Sequence, residues 1–178
     1  MRQKSLVRRA PVCVILAGIA FGVGSGNAAS PADPSGAWLT EDGRARIRIE
    51  PCGAKQGEIC GYVVWMKISL DAKGRPLQDE KNPDPAKRYR PVLGRQLIAG
   101  RKTSSEGHFE GQIYNADDGK TYEISLWREA DILKVRGCLL SVLCATQSWT
   151  ETRDVLPGQL AGATGDPTGP RPNTEPAR

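Results

Sequence analysis

His108 is the only histidine in the chain, which removes any metal centre built from several imidazoles. A Ser–His–Asp relay would have to run through it. It stands in an alternating stretch beside Glu110, the setting of an exposed strand histidine. The chain has no phosphate-binding P-loop, no dinucleotide fingerprint and no Gly-x-Ser-x-Gly elbow. Asp79, Asn82 and Asp84 are closely spaced oxygen donors, but they lack the EF-hand loop pattern. Glu110 and Glu123 stand where neighbouring strands would bring two carboxylates together, the minimum for glycoside hydrolysis. The same placement describes the wet face of a sheet. No catalytic residue, metal site or cofactor is expected.

The residues suited to binding fall into two sets. Tyr62, Trp65, Tyr114 and Trp127 offer flat surfaces that either line a cavity or seal a core. Asp79, Asn82, Asp84, Arg88 and Arg90 lie in a polar, proline-containing stretch, 69–93, that breaks an otherwise regular pattern. So long a connection without repeating structure is unusual in a compact domain and is often functional. Its charges either grip a polar ligand or pair with one another on a solvated excursion.

Cysteine usage speaks to compartment. Residues 1–29 have a basic start at Arg2, Lys4, Arg8 and Arg9, a short apolar middle, and small residues around Asn27-Ala28-Ala29. That is the layout of a secretory signal peptide, and cleavage after Ala28 or Ala29 is expected. Arg8-Arg9 alone does not separate Sec from twin-arginine export. Of 25 basic residues, four lie in this segment, leaving 21 against 20 acidic ones, a net charge of +1 that supports no nucleic-acid footprint. Cleavage also removes Cys13 and leaves Cys52, Cys60, Cys138 and Cys144. An even number in an exported chain reads as disulfides. Three pairings are open, and the short spacings favour Cys52–Cys60 and Cys138–Cys144. A periplasmic or secreted protein with no membrane span after cleavage is expected.

These side chains must be positioned by strands, because the period is two almost throughout. A first strand entered at Gly36-Ala37-Trp38 is followed by a tight turn, Glu41-Asp42-Gly43. In 44–50, Arg44, Arg46, Arg48 and Glu50 fall on one face and Ala45, Ile47 and Ile49 on the other. Stretch 58–67 is apolar on both faces, as in a strand covered on each side. A short strand follows at 96–99, then alternating strands at 108–114 and 121–128, the latter placing Tyr122, Ile124 and Leu126 together. Strands at 132–138 and 143–153 complete the set. Eight strands in meander order give an all-β fold, an antiparallel up-and-down barrel, with a long loop between strands three and four. A two-sheet sandwich is the competitor. The domain is expected over 35–153, and 154–178, rich in Pro, Gly, Ala and Thr, as a disordered tail.

Gly36-x-Trp38 resembles the Gly-x-Trp signature of the lipocalins and related calycin barrels. In those proteins an Arg after the last strand crosses the Trp ring at the closed end, and Arg153 stands at the matching position. The second lipocalin run, Thr-Asp-Tyr, is absent. A wider resemblance covers Gly36-x-Trp38, Asp42-Gly43, Cys52, Cys60-Gly61, Asn82-Pro83-Asp84, Arg88, Gly94, Gly111-x-Ile113-Tyr114, Asp118-Gly119, Tyr122, Arg136-Gly137-Cys138-Leu139 and Trp149. This series is similar to a family of small exported bacterial proteins known as a domain of unknown function. That resemblance implies a lipocalin-like barrel in the bacterial envelope and no reaction.

The functional expectation is a non-catalytic binder of one small hydrophobic or amphipathic molecule, partly polar. An eight-stranded barrel is just wide enough to hold one or to fill itself with side chains. Small residues at Ala145-Thr146-Gln147-Ser148 on the last strand leave space. The alternative is an envelope interaction or scaffold module with a packed, ligand-free barrel.

Overall fold

A computed structural model describes residues 33–55, 57–103, 108–139 and 142–172. The expected signal segment 1–29 lies outside the described residues. Eight strands form one closed antiparallel barrel in sequence order: β1 (Gly36–Leu39), β2 (Ala45–Pro51), β3 (Glu58–Met66), β4 (Gln96–Lys102), β5 (Phe109–Asn115), β6 (Lys120–Glu129), β7 (Ile132–Leu139) and β8 (Leu143–Thr152). Closure is made by β1 on β8, with Ala37 opposite Thr152, Trp38 opposite Glu151 and Leu39 opposite Thr150. The sandwich alternative is thereby set aside. A closed barrel leaves no sheet edge unpaired.

The alternation decides what goes inside. Ile47 and Ile49 of β2 join Ile59 and Val63, Ile98, Phe109, Ile124 and Leu126, Leu133 and Val135, Trp38 and Trp149 in one buried cluster. Both expected disulfides are formed, Cys52–Cys60 and Cys138–Cys144. The second joins residues directly opposite each other on β7 and β8.

Two expectations fail. The first concerns the closed end. Trp38 is fully buried and its indole N–H donates to Pro34 O at 2.9 Å. The guanidinium over its ring belongs to Arg128 of β6, 5.1 Å from the ring centre, and not to Arg153. Register explains the exchange. Glu151 is the residue opposite Trp38, and its carboxylate draws Arg128 across at 3.0 Å. Arg153 lies just past the end of β8 and its side chain is 85% exposed, reaching only Glu151 at 3.2 Å. Gly36 is required by its backbone, φ +136°, while a Cβ there would meet only ordinary contacts at 3.8 Å and beyond.

The second concerns the disordered tail expected over 154–178: its described part, 154–172, is laid across the outer face of β2 and β3, and 173–178 lie outside the described residues. Arg46 donates to Asp154 O (2.8 Å), the Asp154 carboxylate (3.1 Å) and Gln159 Oε1 (3.0 Å). Arg48 donates to Gly162 O at 2.9 Å and Thr164 Oγ1 at 3.1 Å. Leu160 N donates to Val64 O at 2.8 Å, while the Leu160 side chain covers Cys60, Tyr62 and Val64. Further on, Pro170 is buried and Arg171 N donates to Gly94 O at 2.8 Å. The arginines of the wet face of β2 thus serve as anchors. The segment builds no core of its own; Leu160 covers a small cluster on the outer face of β3, separate from the barrel interior.

Candidate functional site

Where the closed end is filled by Trp38, Phe109, Leu126 and Leu133, the opposite end is open. A cavity of about 1000 Å³ occupies that half. Its floor is Ile47, Val63, Ile124, Val135 and Trp149, and its walls include Met66, Leu77, Val92, Leu97, Ile113 and Tyr122. Space comes from small inward residues. Ile124 faces Gly137 on β7, and Gly137 faces Ala145 on β8, so one flank of the wall has little side chain to project. Gln147 adds a polar group to this otherwise apolar wall.

The rim is charged. Arg44, on the β1–β2 turn, donates to Asp42 Oδ2 at 2.6 Å and to Asp117 Oδ2, across on the β5–β6 turn, at 2.8 Å. Burial works against the Asp42 carboxylate, but hydrogen bonds from Arg44 and Thr40 outweigh it and bring its pKa down to about 2. Lys81 Nζ donates to Asp117 O at 2.5 Å, tying the β3–β4 loop to the same turn. Gly119 permits that approach, with φ +73° and only 2.0 Å from the position of its absent Cβ to Lys81 O.

The β3–β4 loop is ordered, and a buried carboxylate organises it. Asp79 is fully buried. Its Oδ1 accepts from the Tyr114 hydroxyl at 2.6 Å, and its Oδ2 accepts from Asn82 Nδ2 at 2.6 Å and lies 3.3 Å from Arg95. Its own N–H donates to Arg90 O at 3.0 Å. Burial first, and then the Asp79 acceptor, push the Tyr114 hydroxyl up to about 12. Burial lowers the Arg95 pKa, and Asp79 opposes that. Asp84 caps a short 3₁₀ turn, Pro85–Lys87, by accepting from Ala86 N at 3.0 Å, and its carboxylate is held below the ordinary range by Lys87. Arg88 Nε donates to Asn82 O at 2.8 Å.

The expected ligand residues are therefore redistributed. Asp79, Asn82, Asp84, Arg88 and Arg90 do not line the cavity. They hold the loop against itself and against Tyr114, because a buried carboxylate demands partners and finds them locally. Tyr62 and Trp65 face outward, Tyr62 under Leu160 and Trp65 beneath Arg46 at 5.8 Å. Trp127 is also outside, stacked on His108 with ring centres 4.7 Å apart. Of the four aromatics, only Tyr114 borders the cavity. Tyr122 and Trp149 take the place of the others, and their signal was parity: Tyr122 alternates in step with Ile124 and Leu126, Trp127 out of step. No such signal marks β3, where buried residues fall on both faces. Arg95 was missed because only the folded loop brings it to Asp79.

Catalytic candidates gain nothing from the fold. Glu110 accepts from Ser125 Oγ at 3.0 Å and Glu123 from Gln112 Nε2 at 2.6 Å, each an exposed cross-strand pair on the outer sheet. Among the described residues no group of three or more His, Cys, Asp or Glu could hold a metal ion, and no helix is long and apolar enough to cross a membrane.

Among solved structures, the chain is similar to protein HP1028 from the human pathogen Helicobacter pylori, which belongs to the lipocalin family. The two share 20% identity and a TM-score of 0.57, over 68% of this chain and 84% of that one, a likeness of fold. No curated protein sequence matches. The strands that build the barrel and its cavity all fall within residues 36–151 but for the last residue of β8, and this span matches the family described as uncharacterized protein conserved in bacteria, DUF2147, to which the chain belongs.

Proposed function

We propose that this protein is a non-catalytic binder of one small amphipathic molecule, working in the periplasm or outside the cell. The observation that carries the reading is the open half-barrel: a cavity of about 1000 Å³ with an apolar floor and a charged rim. That volume is at the upper end of ordinary small-molecule sites, roughly 300–1,000 Å³. The apolar body of a ligand rests on Ile47, Ile124, Val135 and Trp149, and its polar end meets Gln147 inside or Arg44 and Lys67 at the rim. Two disulfides fit an oxidising compartment. A filled barrel acting only as a scaffold finds no support in an end left open.

Native mass spectrometry of protein purified from its own envelope tests the reading. A bound small molecule released on denaturation is the expected result. Ala145→Trp, which fills the flank left by Gly137 and Ala145, should abolish the adduct while keeping the fold. A bare mass for the parent, in native and denaturing conditions alike, would reject the binder.

A further inference from the structure

The open end carries an arrangement that ligand binding inside the barrel does not require. Ile68, Val142 and Leu143 border the mouth and are 69%, 77% and 69% exposed. Ile68 follows β3 while Val142 and Leu143 lie at the β7–β8 turn, on the far side of the ring. Leu70, 50% exposed, stands two residues beyond Ile68 at the base of a small turn closed by pairing with Pro76. Single exposed apolar residues are ordinary, but three around one opening, with Leu70 exposed two residues along the chain from one of them, form a feature.

Arg44 on this rim is taken up by Asp42 and Asp117, and two further cations stand among the apolar residues. Lys67 borders the mouth beside Ile68, and Lys73 lies on the turn above Leu70. Arg75 is engaged by Asp71 at 2.8 Å, whereas Lys67 and Lys73 have no ion pair among the described residues. Between residues 67 and 95 the chain holds eight basic residues against four acidic, and with the buried pair Arg95–Asp79 set aside seven remain against three.

We propose that the open end of the barrel docks on an anionic lipid bilayer. Ile68, Leu70, Val142 and Leu143 enter the headgroup region, and Lys67 and Lys73 contact lipid phosphates. A protein partner would need a continuous, shape-matched patch. Here the apolar residues stand apart on two sides of an opening, which suits a fluid surface that conforms to them. Cations near such a surface add electrostatic attraction to insertion. The mouth then faces the membrane, so an apolar molecule passes between bilayer and cavity without crossing water. Docking uses only the rim, so it stands or falls separately from cavity occupancy.

The test is flotation of the exported chain with vesicles of phosphatidylglycerol and phosphatidylethanolamine, against vesicles of phosphatidylcholine. Binding to the anionic vesicles is expected, with a loss of about tenfold in high salt as the lysine contribution is screened. The triple change Ile68→Ser, Val142→Ser and Leu143→Ser should cut partitioning by about tenfold or more, since three inserting side chains are lost. Lys67→Glu with Lys73→Glu should erase the preference for anionic vesicles; these exposed lysines give an independent arm if the triple variant does not fold by circular dichroism. Absence of binding to either vesicle would overturn the proposal, as would binding that folded variants keep unchanged. A parent that is dimeric by size exclusion, and monomeric with the triple change, would assign the rim to self-association instead.

Discussion

Replacing Arg128 by Ala tests how the two ends of the barrel chain are held together. In the structure its guanidinium lies 5.1 Å from the centre of the Trp38 ring, its Nε donates to Ala130 O at 2.7 Å, and its NH2 reaches Glu151 at 3.0 Å. The stacked cation is worth about 0.5–2 kcal/mol, towards the upper figure where water is excluded. Trp38 is fully buried, and the Arg128 guanidinium lies over its ring, so removing that side chain opens the ring to water. Arg128→Ala should therefore cost on the order of 1–3 kcal/mol, lost cation and lost cover together. At an ordinary urea slope that is a fall in midpoint of roughly 1 M. Arg128→Lys should fall between, because a point charge does not stack on the indole as a planar guanidinium does. Arg153→Ala should melt with the parent, since that side chain is 85% exposed and bonds only to a carboxylate Arg128 already serves. Urea melts with disulfides intact, followed by tryptophan emission and far-UV circular dichroism together, give all three midpoints. If Arg153→Ala proves as costly as Arg128→Ala, or if Arg128→Ala melts like the parent, the assignment of the closing cation is wrong.

Ending the chain after Arg153 should lower stability by at least about 1.5 kcal/mol, the burial of one aliphatic side chain, because it uncovers Tyr62 and Val64; a truncated chain with the parent's urea midpoint would show the segment to be dispensable. Asp79→Ala leaves Arg95 buried without its carboxylate and should cost on the order of 3 kcal/mol, with faster proteolysis within 67–95, both read by melts and limited digestion. Alkaline titration should report Tyr114. Its pKa is raised to about 12 from 10.0, so the folded state keeps a proton the unfolded state releases. Stability from this group is therefore complete below about pH 10 and lost as pH climbs to about 12. Tyr114→Phe should flatten that part of the pH–stability curve, and an unchanged slope would remove Tyr114 from the network.

Strand count, order and the inward set were legible because they depend on local quantities. A side-chain period of two states which face each residue takes, and meander order follows from short turns between alternating runs. Both disulfides were legible for a related reason: residues eight and six positions apart across a hairpin are brought together by the hairpin itself. The cavity was half-legible. Small residues on β8 announced room, but which aromatics bordered it depended on parity, and β3, buried on both faces under the C-terminal segment, conceals its parity.

What only the tertiary structure decided were choices among partners equally possible along the chain. Arg128 and Arg153 are both arginines able to reach the closed end; the register of β1 on β8 sets Glu151 opposite Trp38 and selects Arg128. The loop acids and bases pair with one another because Asp79 is buried by the fold, and burial makes an unpaired carboxylate costly. The segment 154–172 has too few apolar side chains to form a core alone. Composition measures what a segment can bury by itself, whereas this one is ordered by Arg46, Arg48, Tyr62 and Val64 on a barrel already built. Local pattern thus determined the barrel. Long-range register and shared burial decided which residues close it, roof it and border its cavity.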